Sequence, residues 1–368
     1  MAVLNFDLSE EQSMLRDLIV RFATDRYDSV KRLAYVREPF GFSAQGWSLL
    51  AETGALGFPF GEESGGFGGG AVELITVMEA LGRSVAVEPV LPVIVLAGGV
   101  IERAGTQEQK AALLPGLTSG ERFAALACAE HNSRFNVDAI VTNAVVDGAN
   151  YRLNGTKQMV VGGPFADDLI VAAKDDSGAI GLYLVASDAE GVSRRNYRLA
   201  DGSVASDVRL THVLAAPMAG GRSALDAALA DARLAICGEL VGLMAMMFDS
   251  TLDYLKTRNQ FGQAIGDFQA IQHRMADNYG LLELSRGQMY RAAAQSDEGR
   301  DQAVTGAKAF ISTSAITLAE DAVQLHGGIG TTEELMIGQA FKRVLVLASL
   351  FGDNDWELRR YVALTAAA

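Results

Sequence analysis

The chain has little with which to cross-link, to chelate or to carry positive charge. Two cysteines, Cys128 and Cys237, occur in 368 residues. That is too few for a disulfide framework, and the pair lacks metal-site spacing. Each lies in an apolar context, as buried reduced thiols do. His131, His212 and His273 show no ligand spacing either. Aromatic residues make up only 7% of the chain, while alanine is frequent, which favours helix over sheet. Lysine and arginine number 31 against 45 aspartates and glutamates, a net charge of −14. A balance of this sign argues against nucleic acid or an anionic membrane surface as the main partner. Any anionic ligand therefore needs a local basic pocket. Met1–Asp7 carries no basic segment, so no signal peptide is expected. No run reaches the roughly 18 uncharged apolar residues of a membrane span. The cytoplasm is the expected compartment.

What is present is a long, ordinary globular composition, 49% apolar and 21% charged. Its length exceeds one core and predicts two or three domains. Residues 1–122 read as helices. Ser9 and Gln12 form a capping box before a helical pattern, a second helix covers 44–53, and glycines crowd 54–70. Helices follow at 71–83 and 93–104, and Thr106 caps another that starts at Gln107. Residues 123–218 change to short apolar runs separated by turn residues, a meander of strands. Asp147-Gly148-Ala149-Asn150 and Asn154-Gly155-Thr156-Lys157 are expected hairpin connections. A small β-barrel or sandwich follows from these runs. From 219 to 368 the helical period returns. Ser223 to Thr257 reads as one helix, apolar nearly all round, as in a bundle. Further helices are expected at 267–297, 301–326, 332–349 and 353–365. The fold class is thus α+β and mainly helical: a helical domain, a middle β domain and a C-terminal four-helix bundle.

Two segments carry chemistry. Arg258-Asn259-Gln260-Phe261-Gly262 places a cation, a ring and a glycine at the end of the longest helix. Gln324-Leu325-His326-Gly327-Gly328-Ile329-Gly330 is a glycine cluster, where backbone approaches a ligand without a side chain in the way. An arginine fork and exposed backbone amides suit a pyrophosphate. His326 reads as a backbone-bonded histidine, and Met244–Met247 as core packing.

Together with the domain order, these segments resemble the acyl-CoA dehydrogenase family of flavoenzymes. Further matches run over nearly the whole chain. They include Trp47 with Glu52 and Gly54, Glu79 before Gly82-Arg83, Gly105–Lys110, Leu114-Pro115, Leu153–Lys157 and Ala166-Asp167. The resemblance implies FAD as cofactor, an acyl-CoA thioester as substrate and electron-transfer flavoprotein as electron acceptor. It implies that a carboxylate takes the proton next to the thioester carbonyl while a hydride leaves the neighbouring carbon for the flavin. It implies further that Arg258, Phe261, Phe268, Gln269, Gln324, Gly327 and Gly328 hold the adenosine-pyrophosphate end of FAD across a dimer.

The departures from the family are as informative. The usual base position is Gly352, beside Phe351, and the alternative position on the long helix is Ala232, before Arg233. Nearby carboxylates are Asp353, Asp355 and Glu357. Asp353 is the local substitute for the base, and it also reads as the N-cap of the last helix. Arg233 is the candidate substrate contact. Where the family bonds the flavin ring, this chain has Ala129, Met159 and Val161. Losing three hydrogen bonds at about 1 kcal/mol each is worth roughly a hundredfold in affinity. The pattern resembles subunits of heteromeric acyl-CoA dehydrogenases of the steroid side-chain type, or the small subunit of the pimeloyl-CoA type. Three readings follow: a subunit whose homologous partner supplies the base, a complete homomer that uses Asp353, or a non-catalytic structural subunit.

Overall fold

The computed structural model describes residues 7–295 and 297–367. Met1–Phe6, most of the stretch expected to hold no leader, and Ala368 lie outside the described residues. Helices α1 (Glu10–Thr24), α2 (Ser29–Arg37), α3 (Ala44–Glu52), α4 (Ala71–Arg83), α5 (Gly99–Ala104) and α6 (Gln107–Thr118) come first. Strands β1 (Ala124–Ala127), β2 (Asn143–Asp147), β3 (Asn150–Val161), β4 (Asp168–Lys174), β5 (Ile180–Ala186), β6 (Val192–Arg198) and β7 (Val204–Pro217) follow. Next comes α7 (Gly221–Thr257), then a two-stranded hairpin of β8 (Asn259–Gln260) and β9 (Gln263–Ala264). The last helices are α8 (Gln269–Ala293), α9 (Asp297–His326), α10 (Met336–Ser349) and α11 (Asn354–Ala367). The order is helical, then β, then helical, as the change of period predicts.

Several starts are local. Ser9 and Gln12 make a reciprocal capping box on α1, and Thr106 and Gln109 make another on α6. Each satisfies two otherwise orphaned backbone groups. The stretch expected as one helix over 93–104 is instead a π-helix, Val90–Gly98, that runs into α5. Its residues are buried all round, so no amphipathic period marks its winding. Helix α2 was not singled out by the sequence pattern.

The chain forms two compact units. One comprises Met1–Tyr35, Gly70–Ala86 and Arg233–Ala368. In it α8, α10 and α11 each pack against α9, and α1 packs against α4. Where α4 meets α7 the backbones nearly touch. A Cβ on Gly82 would stand 2.2 Å from the Glu239 carbonyl oxygen, and one on Gly242 would stand 2.1 Å from that of Glu79. Only glycine permits that approach.

The other unit comprises Val36–Gly69 and Val87–Ala232 and holds the barrel. β4 pairs with β2 and β5, β2 with β3, β3 with β7, and β7 with β5, which closes the circuit. β1 adds in parallel to β4, and β6 adds to β7. Leu153, Leu169, Val171, Val208 and Val213 fill the interior. The Asp147–Asn150 hairpin forms as expected. The one expected at Asn154–Lys157 does not, because β3 runs straight through it with a register shift between Leu153 and Gly155. A Cβ on Gly155 would stand 2.3 Å from Thr142 Oγ1, so this glycine marks a close approach and not a turn.

Among the described residues one helix, α7, is long and apolar enough to cross a membrane, and 78% of its most apolar window is buried inside the protein.

Candidate functional site

The two motif segments meet at one end of the helical unit. α7 ends at Thr257, and the chain turns through the β8–β9 hairpin. The two turn residues, Phe261 and Gly262, have φ of 53° and 84°. A type I′ turn needs positive φ at both positions and normally takes Asn-Gly. Phenylalanine there costs on the order of 1–3 kcal/mol of backbone strain. Its ring is 93% exposed, with Phe268 meeting it edge-on at 6.3 Å. Nothing in the local fold explains an exposed ring held in a strained turn. The Arg258 backbone accepts from the Ile265 amide at 2.9 Å. Its guanidinium is exposed and has no partner among the described residues.

One turn back on α7, Tyr254 stacks on His326 at 4.5 Å and 22°. That contact brings the end of α9 beside the end of α7. His326 is buried, and its Nδ1 lies 2.8 Å from the Ala322 carbonyl, the backbone bond expected of it. Gln324 and the two glycines that follow His326 are exposed. Gly327 has φ of 68°, and a Cβ on Gly327 or Gly328 would meet nothing within 4 Å. Gln269 opens α8 exposed, after an N-terminus with no side-chain cap. An exposed arginine fork and an uncovered ring at the end of α7, and bare glycine backbone at the adjacent end of α9, are of the chemistry that suits the phosphate end of a dinucleotide.

The ring-end residues belong to the barrel. Ala129 and Val161 are half-buried, and Met159 is 38% exposed with φ of 51°. Met159 sits at a bulge where β3 shifts register between Lys157 and Val160. Its amide donates to Asp207 Oδ1 at 3.3 Å. Asp207 also accepts from Tyr197 Oη at 3.0 Å and pairs with Arg195 at 2.7 Å. Burial pushes the Asp207 carboxyl up, but these donors win and hold it below the usual range. None of the three ring-end side chains offers a hydrogen bond. The exposed Arg258 and glycine backbone thus have the chemistry to fit FAD phosphates, whereas Ala129, Met159 and Val161 offer only apolar surface.

Behind the bulge lies a buried ion pair. Lys157 Nζ donates to Glu130 at 2.6 Å, and neither side chain is more than 5% exposed. Glu130 also accepts from Thr142 Oγ1 at 2.6 Å and from the amides of Val141 and Thr142. Burial alone would raise the Glu130 carboxyl. The bonds from Lys157 and Thr142 instead hold it below its ordinary value.

The base positions lie elsewhere. Asp353 caps α11, its Oδ1 accepting from the Trp356 amide at 2.9 Å. Ala232 is fully buried, and Asp231 pairs with Arg103. Arg233, expected at the substrate, is buried and donates to Glu357 Oε1 at 2.9 Å and to the Phe351 carbonyl at 3.1 Å. Lys308, fully buried on α9, donates to the carbonyls of Ala348 and Gly352. The spacing of the sequence placed Glu357 only near this turn. Neither it nor Lys308 had a signal as part of one cluster, because they come from different helices.

Acyl-CoA dehydrogenase family models match the chain in three successive parts: the N-terminal domain over 9–121, the middle domain over 125–213 and the C-terminal domain over 219–363. The chain belongs to the acyl-CoA dehydrogenase family. Its fold is similar to that of the Tcur3481-Tcur3483 steroid ACAD G363A variant, at 32% identity and TM-score 0.90, over 98% of this chain and 99% of that one. The ChsE4-ChsE5 complex from Mycobacterium tuberculosis superposes with TM-score 0.92 at 26% identity, over 99% of both chains. PigA, solved with FAD and proline, does so with TM-score 0.91 at 25% identity, over 98% of this chain and 99% of its own. The resemblance to subunits of heteromeric acyl-CoA dehydrogenases holds in the first two of these neighbours.

Proposed function

We propose that this acyl-CoA dehydrogenase works as one subunit of a heteromer, lending the phosphate end of a flavin site to a homologous partner that supplies the base. The coarser statement rests on the family: the chain is an oxidoreductase that takes FAD and dehydrogenates an acyl-CoA thioester between its α and β carbons. FAD supplies the hydride acceptor when bound. The residues of this chain bind and orient. Arg258 meets the pyrophosphate, Gly327 and Gly328 let backbone amides come close to it, and Phe261 covers an apolar part of the cofactor. The observation that carries the proposal is the exposed cluster of Arg258, Phe261, Gly327 and Gly328, complete and uncovered, in a chain with glycine at the usual base position. The relatedness to a two-component complex supports the same reading. Domains at 1–122, 123–218 and 219–368, a cytoplasmic location and electron-transfer flavoprotein as acceptor belong to it.

The expected stoichiometry is one FAD per two chains, because the site that uses Ala129, Met159 and Val161 stays empty or binds loosely. Flavin absorbance against protein mass in the reconstituted complex measures it. One tightly held FAD on every chain would overturn the proposal.

A second reading, a homomer using Asp353, is favoured by the carboxylate that lies next to position 352. Asparagine caps a helix as well as aspartate does, so Asp353→Asn should fold normally. If Asp353 is the base, that variant loses bleaching of the flavin by acyl-CoA, since an amide takes up no proton. Bleaching at the wild-type rate would leave the base to the partner.

A further inference from the structure

The turn between α10 and α11 is strained and heavily clamped. Phe351 has φ of 57° and Gly352 has φ of 143°, both on the side that favours glycine. Three neighbouring carbonyls, those of Ala348, Phe351 and Gly352, are taken by Arg233 and Lys308. Glu357 reaches back from the first turn of α11 to Arg233 and is fully buried. A Cβ on Gly352 would stand 1.9 Å from Glu357 Oε1. The second oxygen, Oε2, is buried and makes no hydrogen bond among the described residues. Thus one carboxylate sits between two buried cations, in the space into which any side chain at 352 would grow.

We propose that Glu357, held between Arg233 and Lys308, is a positioning residue that fills position 352 from inside the fold and sets the α10–α11 turn. The subunit reading gives this its meaning, since 352 is where the family keeps its base. A base cannot be restored there by one substitution, because the volume is taken and the neighbouring cations already have their counter-ion.

The charges that face the cluster are Arg233 with the Cys237 thiol from α7, Lys308 and Asp301 from α9, and Asp353 and Arg360 around α11. Arg360 is paired with Asp301, and burial pushes the Cys237 thiol up to about 12, so it stays neutral. Burial pushes the Glu357 carboxyl above its ordinary value, opposed by Arg233 and Lys308. Burial also pulls Lys308 down to about 8 from an ordinary 10.5, and the charge of Glu357 is the largest influence holding it up. A lysine with a lowered folded pKa releases its proton first in the folded chain. Its contribution to stability is therefore least favourable below about 8 and improves as pH rises from about 8 to 10.5.

Thermal unfolding of the full chain across this pH range tests the proposal. In Glu357→Gln the onset of that rise should move down by roughly one pH unit, because the counter-charge is gone while the volume is kept. Lys308→Met should remove the rise, and it covers the case in which the glutamine variant does not fold. In a second arm, Gly352→Ala should lower the melting temperature by several degrees in the wild-type chain. It should cost measurably less beside Glu357→Asp, whose shorter side chain vacates the volume while the backbone strain at φ 143° stays the same in both backgrounds. An unchanged onset in Glu357→Gln, a rise that survives in Lys308→Met, or equal costs of Gly352→Ala in the two backgrounds would each overturn the proposal. These readouts need neither FAD nor a partner. Their failure leaves the subunit reading standing, and a failed stoichiometry leaves the clamp standing.

Discussion

Arg258→Ala should lower FAD affinity of the reconstituted assembly about ten- to hundredfold with no change in fold. A charge-assisted bond from a guanidinium to phosphate is worth about 1.5–3 kcal/mol, which converts to that range. The guanidinium is exposed and has no partner among the described residues, so its removal leaves no buried group there without a partner. Far-UV circular dichroism and melting temperature should therefore match the wild type while flavin is lost on gel filtration. The loss should grow with salt, since an exposed arginine–phosphate contact is screened. Arg258→Lys should restore only part of the affinity, because an ammonium lacks the planar fork. Full flavin retention in Arg258→Ala would place the pyrophosphate elsewhere.

The second large effect concerns stability. Lys157→Ala should destabilise the barrel by about 3–5 kcal/mol, the cost of leaving a buried charge uncompensated. For a chain of this size that is a fall in melting temperature on the order of 10 °C. Lys157 is fully buried, and Glu130 would keep Thr142 and two backbone amides but no cation. The pH dependence carries a sign. Glu130 is held below its ordinary 4.5, so its stabilisation is present above that value and is lost as pH falls through the lower folded value. The variant should lose part of this acid-side dependence, because its Glu130 titrates closer to the ordinary value. A melting temperature within 2 °C of wild type by the same measurement would show that the pair adds little.

What was legible in the sequence was what acts locally. The capping boxes at Ser9 and Thr106 join residues three apart, and both formed. The Asp147–Asn150 turn closes a hairpin between adjacent strands, and it formed as well. The apolar period placed α4 and α7 to within a few residues. The family motifs, being contiguous stretches, named the residues on which the proposed phosphate-end site rests, and the stacking of Tyr254 on His326 brings the ends of the two helices that carry them together.

Asn154–Gly155 shows where local chemistry stops. Asp147-Gly148 makes a turn, whereas Asn154-Gly155, an equally strong turn signal, becomes a bulge. The difference lies in whether a neighbouring strand continues to pair, as β7 does with β3 here. The winding of Val90–Gly98 was hidden for a related reason: burial on every side erases the amphipathic period.

The sequence by itself determined the family and the order of helical and β segments, and it supplied Arg258, the glycine cluster and the glycine at 352 on which the proposed function rests. Tertiary structure alone decided what surrounds that glycine. Arg233, Lys308 and Glu357 come from three helices, and no spacing along the chain brings them together. In water each charge would be solvated independently. Burial makes them one cluster, since a low-dielectric interior forces every cation to find a carbonyl or a carboxylate. The carboxylate they found occupies the space that residue 352 leaves empty.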